Sequence, residues 1–369
     1  MNLWRRLFGT RKNETVRPPS IFFVNTLSGT KELFVPQRPG IVTMYSCGPT
    51  VYGQQHIGNL RAAIFSDTLA RVLKAAHYHL QRVTNITDVG HLVGDGDAGE
   101  DKMAVGARQE NTTPKEIADR YTKIYLEDLG DLNVDTDDIR FPRATEYIKE
   151  QIALAKTLEE KGFAYYLSDG LYFDTQKFPQ YGRLGRMSRV QLEAGKRVEV
   201  VRGKHHPADF VLWRTAKTND LQQWDSPWGR GNPGWHIECS AMIRSLLGLE
   251  IDIHTGGEDH IAVHHNNEIA QSEAASGRTF VHYWLHNAFL TAAGGEKAAK
   301  SLGNVFYLSD IVQKGFHPLA LRYFFLQAHY RTPLSFSWDA LAGAAEALHR
   351  LWRLAREVAH ESRKKSATV

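Results

Sequence analysis

The stretch that most constrains this chain runs from residue 41 to residue 87. Residues 41–47, IVTMYSC, are an apolar, β-branched run of the kind that forms a strand buried on both faces. Residues 58–77 place Leu60, Ile64, Leu69, Val72 and Leu73 at helical spacing, and residues 80–87, LQRVTNIT, read as the next strand. Strand, loop, helix, strand is a βαβ unit. It commits this part of the chain to a parallel sheet and puts ligands at the carboxyl ends of the strands.

Residues 21–36 read as an extended lead-in that ends at the Pro39–Gly40 break. From about Gly94 the character changes. A polar loop, GDGDAGEDK, is followed by helices predicted from Pro114 to about Gly130 and from about Thr145 to Lys161. Short strands and turns rich in Gly, Pro and Trp then run to about Gly234. Residues 95–230 are therefore expected to form a mixed α/β connective insertion between two halves of one sheet, residues 21–94 and 231–305. The second half carries a strand at 251–257, a helix at about 264–276 and a strand at 282–289. Residues 306–369 are expected to be helical, and residues 1–20 to be a basic tail. With Leu3, Trp4, Leu7 and Phe8 in that tail, an amphipathic anchor or transit peptide is the alternative.

Composition narrows the partners. At 369 residues, 42% apolar and 23% charged, the chain has the profile of a soluble globular protein of about two domains, or of one domain with a large insertion. A net charge of +4 permits an RNA partner without requiring one. No apolar run approaches the roughly 20 residues that span a bilayer, so no membrane partner is expected. Two cysteines argue for a reducing compartment, with the cytoplasm as the expected location. Nothing resembles a dimerisation stripe, and a monomer is expected.

Two loops carry phosphate chemistry. After the first strand, CGPTVYGQQHIGN (47–59) ends where a helix begins, and a helix N-terminus offers unpaired N–H groups to an anion. Gly58 lets backbone approach the ligand and His56 can donate to phosphate oxygens; a histidine that caps the helix is the alternative. Downstream, GGEKAAKSLGN (294–304) sets Lys297 and Lys300 among glycines, where they can stabilise the charge of a leaving pyrophosphate. A solvated loop is the alternative there. The two cysteines also fall in telling places. Cys47 ends the first strand, and Cys239 sits in GWHIECSAM. His264 and Glu268 are four apart, so on a helix they share a face and can grip one ion. Two thiolates, an imidazole and a carboxylate are a plausible zinc set; buried structural cysteines are the alternative.

Taken in order, these loops resemble the HIGH and KMSKS motifs of class I aminoacyl-tRNA synthetases, here His56-Ile57-Gly58-Asn59 and Lys297-Ala298-Ala299-Lys300-Ser301. CGPTVY, NITDVGH, ADFVLWR, GWHIECSAM, HHNNEIAQ, KSLGN and LRYFFLQAHYR resemble the cysteinyl-tRNA synthetases within that class, over about residues 22–350. The resemblance implies a class I synthetase Rossmann-like parallel sheet with a connective insertion and a C-terminal helical stem. By motif position it implies zinc on Cys47, Cys239, His264 and Glu268. It also implies activation of L-cysteine by Mg-ATP and transfer to tRNA(Cys). His56, Lys297 and Lys300 are the implied catalytic contacts, and Gly58, Asn59, Asp259 and Ser301 join them in holding ATP. For Asp259 the alternative is a turn cap. Trp235 and Thr50 are candidates to line the substrate pocket, a structural tryptophan being the alternative for the former. Zinc binds thiolate strongly and neutral hydroxyl weakly, so it separates cysteine from serine without an editing domain.

The chain departs from the pattern in three places. Ala298 and Ala299 stand where the second motif usually has Met and Ser, which predicts altered loop packing and slower activation. Asn59 takes the fourth position of the first motif, as is common in this family. The sequence also stops about where the helical stem begins. Two alternatives stay open: a cysteine ligase acylating a small amine, as in the mycothiol pathway, and a non-catalytic, zinc-stabilised RNA-binding or regulatory paralogue.

Overall fold

The computed structural model describes residues 19–94, 99–186, 203–218, 220–291 and 305–366. A hairpin, β1 (Phe22–Asn25) and β2 (Thr30–Leu33), precedes β3 (Ile41–Ser46), α1 (Ile57–Ala75) and β4 (His79–Thr84). These last three are the βαβ unit, within a few residues of the bounds that the apolar pattern predicts. β3 is buried from Val42 to Ser46. On α1 the stripe Leu60, Ile64, Leu69 and Leu73 points inward. Val72 does not join it and is 47% exposed, because two successive positions on a helix cannot share a face.

Next come α2 (Lys102–Gln109), α3 (Pro114–Asp131), β5 (Ile139–Arg140) and α4 (Ile148–Glu160). A second, antiparallel sheet follows in the order β6 (Ala164–Leu167), β7 (Gly170–Phe173), β8 (Phe210–Thr215) and β9 (Gly231–Pro233). The chain then returns through α5 (Trp235–Leu246), β10 (Ile251–Gly257), α6 (His264–Ser276), β11 (Val281–Asn287) and β12 (Leu290–Thr291). It closes with α7 (Leu308–Gln313), α8 (Pro318–Leu326), β13 (Leu334–Ser335) and α9 (Trp338–Ser366).

The central sheet runs β11-β10-β3-β4-β5, and every pair in it is parallel. From β3 the chain steps one way to β4; from β10 it steps the other way to β11. The β3/β10 boundary is therefore the point where strand order reverses, and a crevice opens there at the carboxyl ends. Asp252 on β10 locks the boundary by accepting from the Thr43 amide and hydroxyl, each at 2.8 Å.

The stretch 95–230 is not uniform. Met103, Ile117, Tyr125 and Leu129 share a core with Ile57, Leu60 and Ile64 of α1, and β5 extends the central sheet beside β4. The β6–β9 sheet is the part that stands as a layer of its own, packed with α4, α5 and α6. Two charged groups on α1 tie it to the second half of the sheet and to the C-terminal region. Buried Arg61 donates to the carbonyls of Ala288 (2.8 Å), Phe289 (2.6 Å) and Thr332 (2.7 Å). Asp67 pairs with Arg322 of α8 at 2.6 Å. Among the described residues no helix is long and apolar enough to cross a membrane.

Candidate active site and metal centre

At the β3/β10 crevice the chain makes a tight turn. Gly48 donates its N–H to Asn85 Oδ1 at 2.9 Å, and a Cβ there would fall 1.7 Å from the Asn85 carbonyl oxygen, so only glycine fits. The turn ends at His56, the N-cap of α1, whose Nδ1 accepts from the amides of Gly58 (3.1 Å) and Asn59 (3.3 Å). The capping alternative is therefore the observed geometry, and it does not compete with phosphate binding. An Nδ1 that accepts leaves the ring proton on Nε2, the atom that can donate to an anion.

A cleft of about 360 Å³ opens over this turn. It gathers Thr50, His56, Gly58, Asn59 and Asp259, and with them Cys47, Trp235, Cys239 and His264. Asp259 lies in a short 3-10 turn after β10 (Glu258–His260). Lys297, Lys300 and Ser301 lie outside the described residues. The chain on either side of them is anchored beside α1: Leu290 lines the cleft, and the Phe306 carbonyl accepts from the Ile57 amide at 2.9 Å.

On the floor of the cleft the structure groups three of the four predicted metal ligands, Cys47, His264 and Glu268, with His265, while the fourth, Cys239, lies beside that group. The ligand atoms of Cys47, His264, His265 and Glu268 all lie within 4.8 Å of one another. Cys239 lies next to Cys47 and His264, near enough for the three to shift one another's ionisation. His264 Nε2 and Glu268 Oε1 are 2.7 Å apart, yet Oε1 has no partner in hydrogen-bond geometry. A buried carboxylate oxygen left without a hydrogen bond is a position that an ion can fill. Two sulfurs, imidazole and carboxylate, all buried except the half-buried Cys47, fit a borderline-soft divalent ion such as zinc.

The electrostatics agree. Burial pushes the Cys47 thiol well up, helped by Cys239, while hydrogen bonds from Cys47 and His264 draw Cys239 down to about 6. The thiol pair thus shares one negative charge. Burial opposes ionisation of Glu268, but His254 and His264 hold its carboxyl well below the usual range. His264 would be lowered by burial, yet the Glu268 charge and Cys239 raise it to about 10. A cation is what this cluster asks for. Further histidines orient the ligands: His254 Nε2 lies 2.8 Å from Glu268 Oε2, and His236 Nδ1 lies 2.9 Å from His264 Nδ1.

Sequence reasoning missed His265, whose Nε2 is 3.2 Å from Cys47 Sγ, together with His236 and His254. The His264–His265 doublet was one local signal. His236 is three residues before Cys239 on α5, a helical spacing that went unread, and His254 lies on β10, where no spacing links it to the ligands. Trp235 opens α5 and stacks on His264, centroids 4.3 Å apart, and on His91, 3.9 Å apart.

Residues 33–346 match the family model described as the catalytic domain of tRNA synthetases class I (C). The chain is 50% identical over 332 residues to cysteine–tRNA ligase 1 of Burkholderia lata, covering 89% of this chain and 70% of that one. It is 49% identical over 322 residues to the cysteine–tRNA ligase of Treponema denticola, covering 87% and 65%. A solved Mycobacterium tuberculosis methionyl-tRNA synthetase in complex with methionyl-adenylate superposes with a TM-score of 0.61 at 16% identity. It covers 82% of this chain and 67% of that one, a likeness of fold. The chain belongs to the class I tRNA synthetases, in the family of the cysteine–tRNA ligases.

Proposed function

We propose that this protein activates L-cysteine with ATP to cysteinyl-adenylate and passes the cysteinyl group to the terminal adenosine of tRNA(Cys). The observation that carries the reading is one cleft in which a thiol-rich, carboxylate-bearing cluster lies beneath a histidine-capped helix N-terminus. The matched region spans between 64% and 70% of the length of such relatives, so the activity of the whole enzyme is carried here as a proposal.

The substrate carboxylate oxygen attacks the α-phosphorus of Mg-ATP; the new O–P bond forms as the bond to pyrophosphate breaks, and pyrophosphate leaves. Positioning and charge stabilisation carry the rate. His56 Nε2–H and the first amides of α1, with Gly58 and Asn59, hold phosphate oxygens. Asp259 takes the ATP ribose, and Trp235 walls the amino-acid pocket. Lys297 and Lys300, with Ser301, stabilise the charge of the leaving pyrophosphate. A zinc ion held by Cys47, Cys239, His264 and Glu268 would supply a strong preference for a thiolate over a hydroxyl. The cluster needs both thiols reduced, which suits the cytoplasm, and Cys47 and Cys239 are free. The β6–β9 layer and α4 help to seat the acceptor end of the tRNA.

The test is cysteine-dependent ATP–pyrophosphate exchange by metal-loaded and chelator-stripped protein, with serine as competitor, followed by charging of tRNA(Cys). The expected result is zinc-dependent exchange that strongly prefers cysteine. Folded, zinc-loaded protein that supports no exchange would overturn the reading in favour of a binding or regulatory paralogue. Exchange without tRNA charging would favour a small amine as acceptor.

A further inference from the structure

Thr50, His91 and Lys102 form a hydrogen-bonded row along the wall of the same cleft. Lys102 Nζ lies 2.8 Å from His91 Nε2, and His91 Nδ1 lies 2.5 Å from Thr50 Oγ1. A lysine ammonium has three N–H donors and no acceptor, so His91 Nε2 receives the contact and Nδ1 carries the ring proton. That proton is donated to Thr50 Oγ1. The Thr50 hydroxyl is thereby used as an acceptor on one side, and its own hydrogen is turned to donate in another direction.

The row is rigidly held. His91 is 8% exposed and lies flat against Trp235, with an interplanar angle of 8°. Trp235 in turn lies on His264 of the metal cluster. Lys102 is no loose surface lysine: its amide donates to the His91 carbonyl at 2.9 Å. Asp101 caps α2 by accepting from Met103 (2.8 Å) and Ala104 (3.1 Å). Gly106 of α2 lies so close to the Tyr52 carbonyl that a Cβ there would fall 2.6 Å from it.

Thr50 belongs to the turn that leads from Cys47, where the substrate thiol goes, to His56, where the phosphates go. A bound amino acid with its sulfur at one end and its reacting oxygen at the other must lay its carboxylate along that turn. We propose that Lys102 is a positioning residue. By holding His91 as the Nδ1-protonated tautomer, it makes the Thr50 hydroxyl a donor to the α-carboxylate of the substrate. One carboxylate oxygen is then held while the other faces the α-phosphorus. This inference rests on the cysteine-activating reading and names the group that orients its substrate.

The test compares binding of L-cysteine with that of L-cysteinol, which has the same thiol and amine and no carboxylate. It uses the zinc-loaded parent, Lys102→Met, Lys102→Arg, Thr50→Val and the Lys102→Met/Thr50→Val double variant. Zinc content and Tm are recorded for each. Loss of one hydrogen bond to a charged group predicts about tenfold weaker cysteine binding in Lys102→Met and in Thr50→Val. The double variant should be no weaker than either single one. Lys102→Arg should recover part of the loss, and cysteinol should bind all proteins alike. A merely structural lysine would weaken both ligands together, and that result, or additive losses, would overturn the proposal. Thr50→Val leaves the α2 contacts in place, so it decides the matter even if Lys102→Met is unstable. A parent that binds cysteine while no variant loses affinity sinks this inference alone; a parent that binds no cysteine sinks the proposed function with it.

Discussion

Asp128 and Asp67 show how differently one side chain fares at two buried positions. Asp67 is fully buried but matched: Arg71 at 2.8 Å, Arg322 at 2.6 Å and the Asp135 amide at 2.9 Å all address its carboxylate. Asp128, on the inner side of α3, has one carboxylate oxygen without a partner among the described residues. Burial first, then the charges of Asp131 and Glu127, push its pKa up to about 7 against a hydrogen bond from Gln54. A carboxyl raised in the fold above its unfolded value stabilises fully only at acid pH. Its contribution fades from about pH 4 and is gone above pH 7. Asp128→Asn is therefore expected to raise Tm at pH 8 by roughly 2 °C, an advantage that shrinks toward zero near pH 4. Calorimetric melts of parent and variant at the two pH values check this; an equal shift at both would contradict the assignment.

The first turn of α1 is the element where fold and chemistry are least separable. A Cβ on Gly58 would lie 2.9 Å from His56 Cε1 and 3.0 Å from Nδ1, so Gly58→Ala must swing the ring off the cap. Losing such a cap costs about 1 kcal/mol of stability. The larger expected effect is on exchange, roughly a tenfold loss for a displaced transition-state donor, with zinc content and cysteine affinity unchanged. Steady-state exchange with cysteine and ATP varied separately checks it. α1 was legible because its apolar residues repeat at helical spacing, and β3 because it is a continuous apolar run. α6 was legible through its chemistry, the His264–Glu268 spacing, since its residues are buried on nearly every face and leave no amphipathic stripe. α5 went unread as a helix for the same reason: Ile237 through Ile243 are all buried, and Gly234 offers no side-chain cap. α2 was hidden in a polar stretch too short to show a period, and β5 is two residues that pair only because α3 delivers them to β4. Of the histidines around the ligands, His265 and His236 share a helix with a ligand, whereas His254 sits on β10 and only the fold brings it within reach of Glu268.

Across the whole molecule the candidate metal centre joins parts that are distant in sequence. Cys47 follows β3, Cys239 lies on α5, and His264 and Glu268 lie on α6. An ion bound there stabilises the folded state by its affinity for that state alone, about 4 kcal/mol at a thousandfold excess over Kd. Chelation should accordingly lower Tm by several degrees, reversibly on zinc return, and Cys239→Ala should abolish that response. Melts with and without chelator test this, and a chelator-insensitive Tm in zinc-loaded protein would deny the centre its structural part. The pairing of β3 with β10 reaches further still. Thr43 and Asp252 are 209 residues apart, so when the ribosome has delivered β3 and β4 the strand that completes them does not yet exist. From Thr84 at the end of β4 to Ile251 at the start of β10, that interval is about 8–33 s at ordinary elongation rates. Throughout it the nascent chain presents an apolar strand with one open edge, the form of exposed edge most prone to pairing with another molecule. In the finished sheet β10 pairs along that edge and removes it.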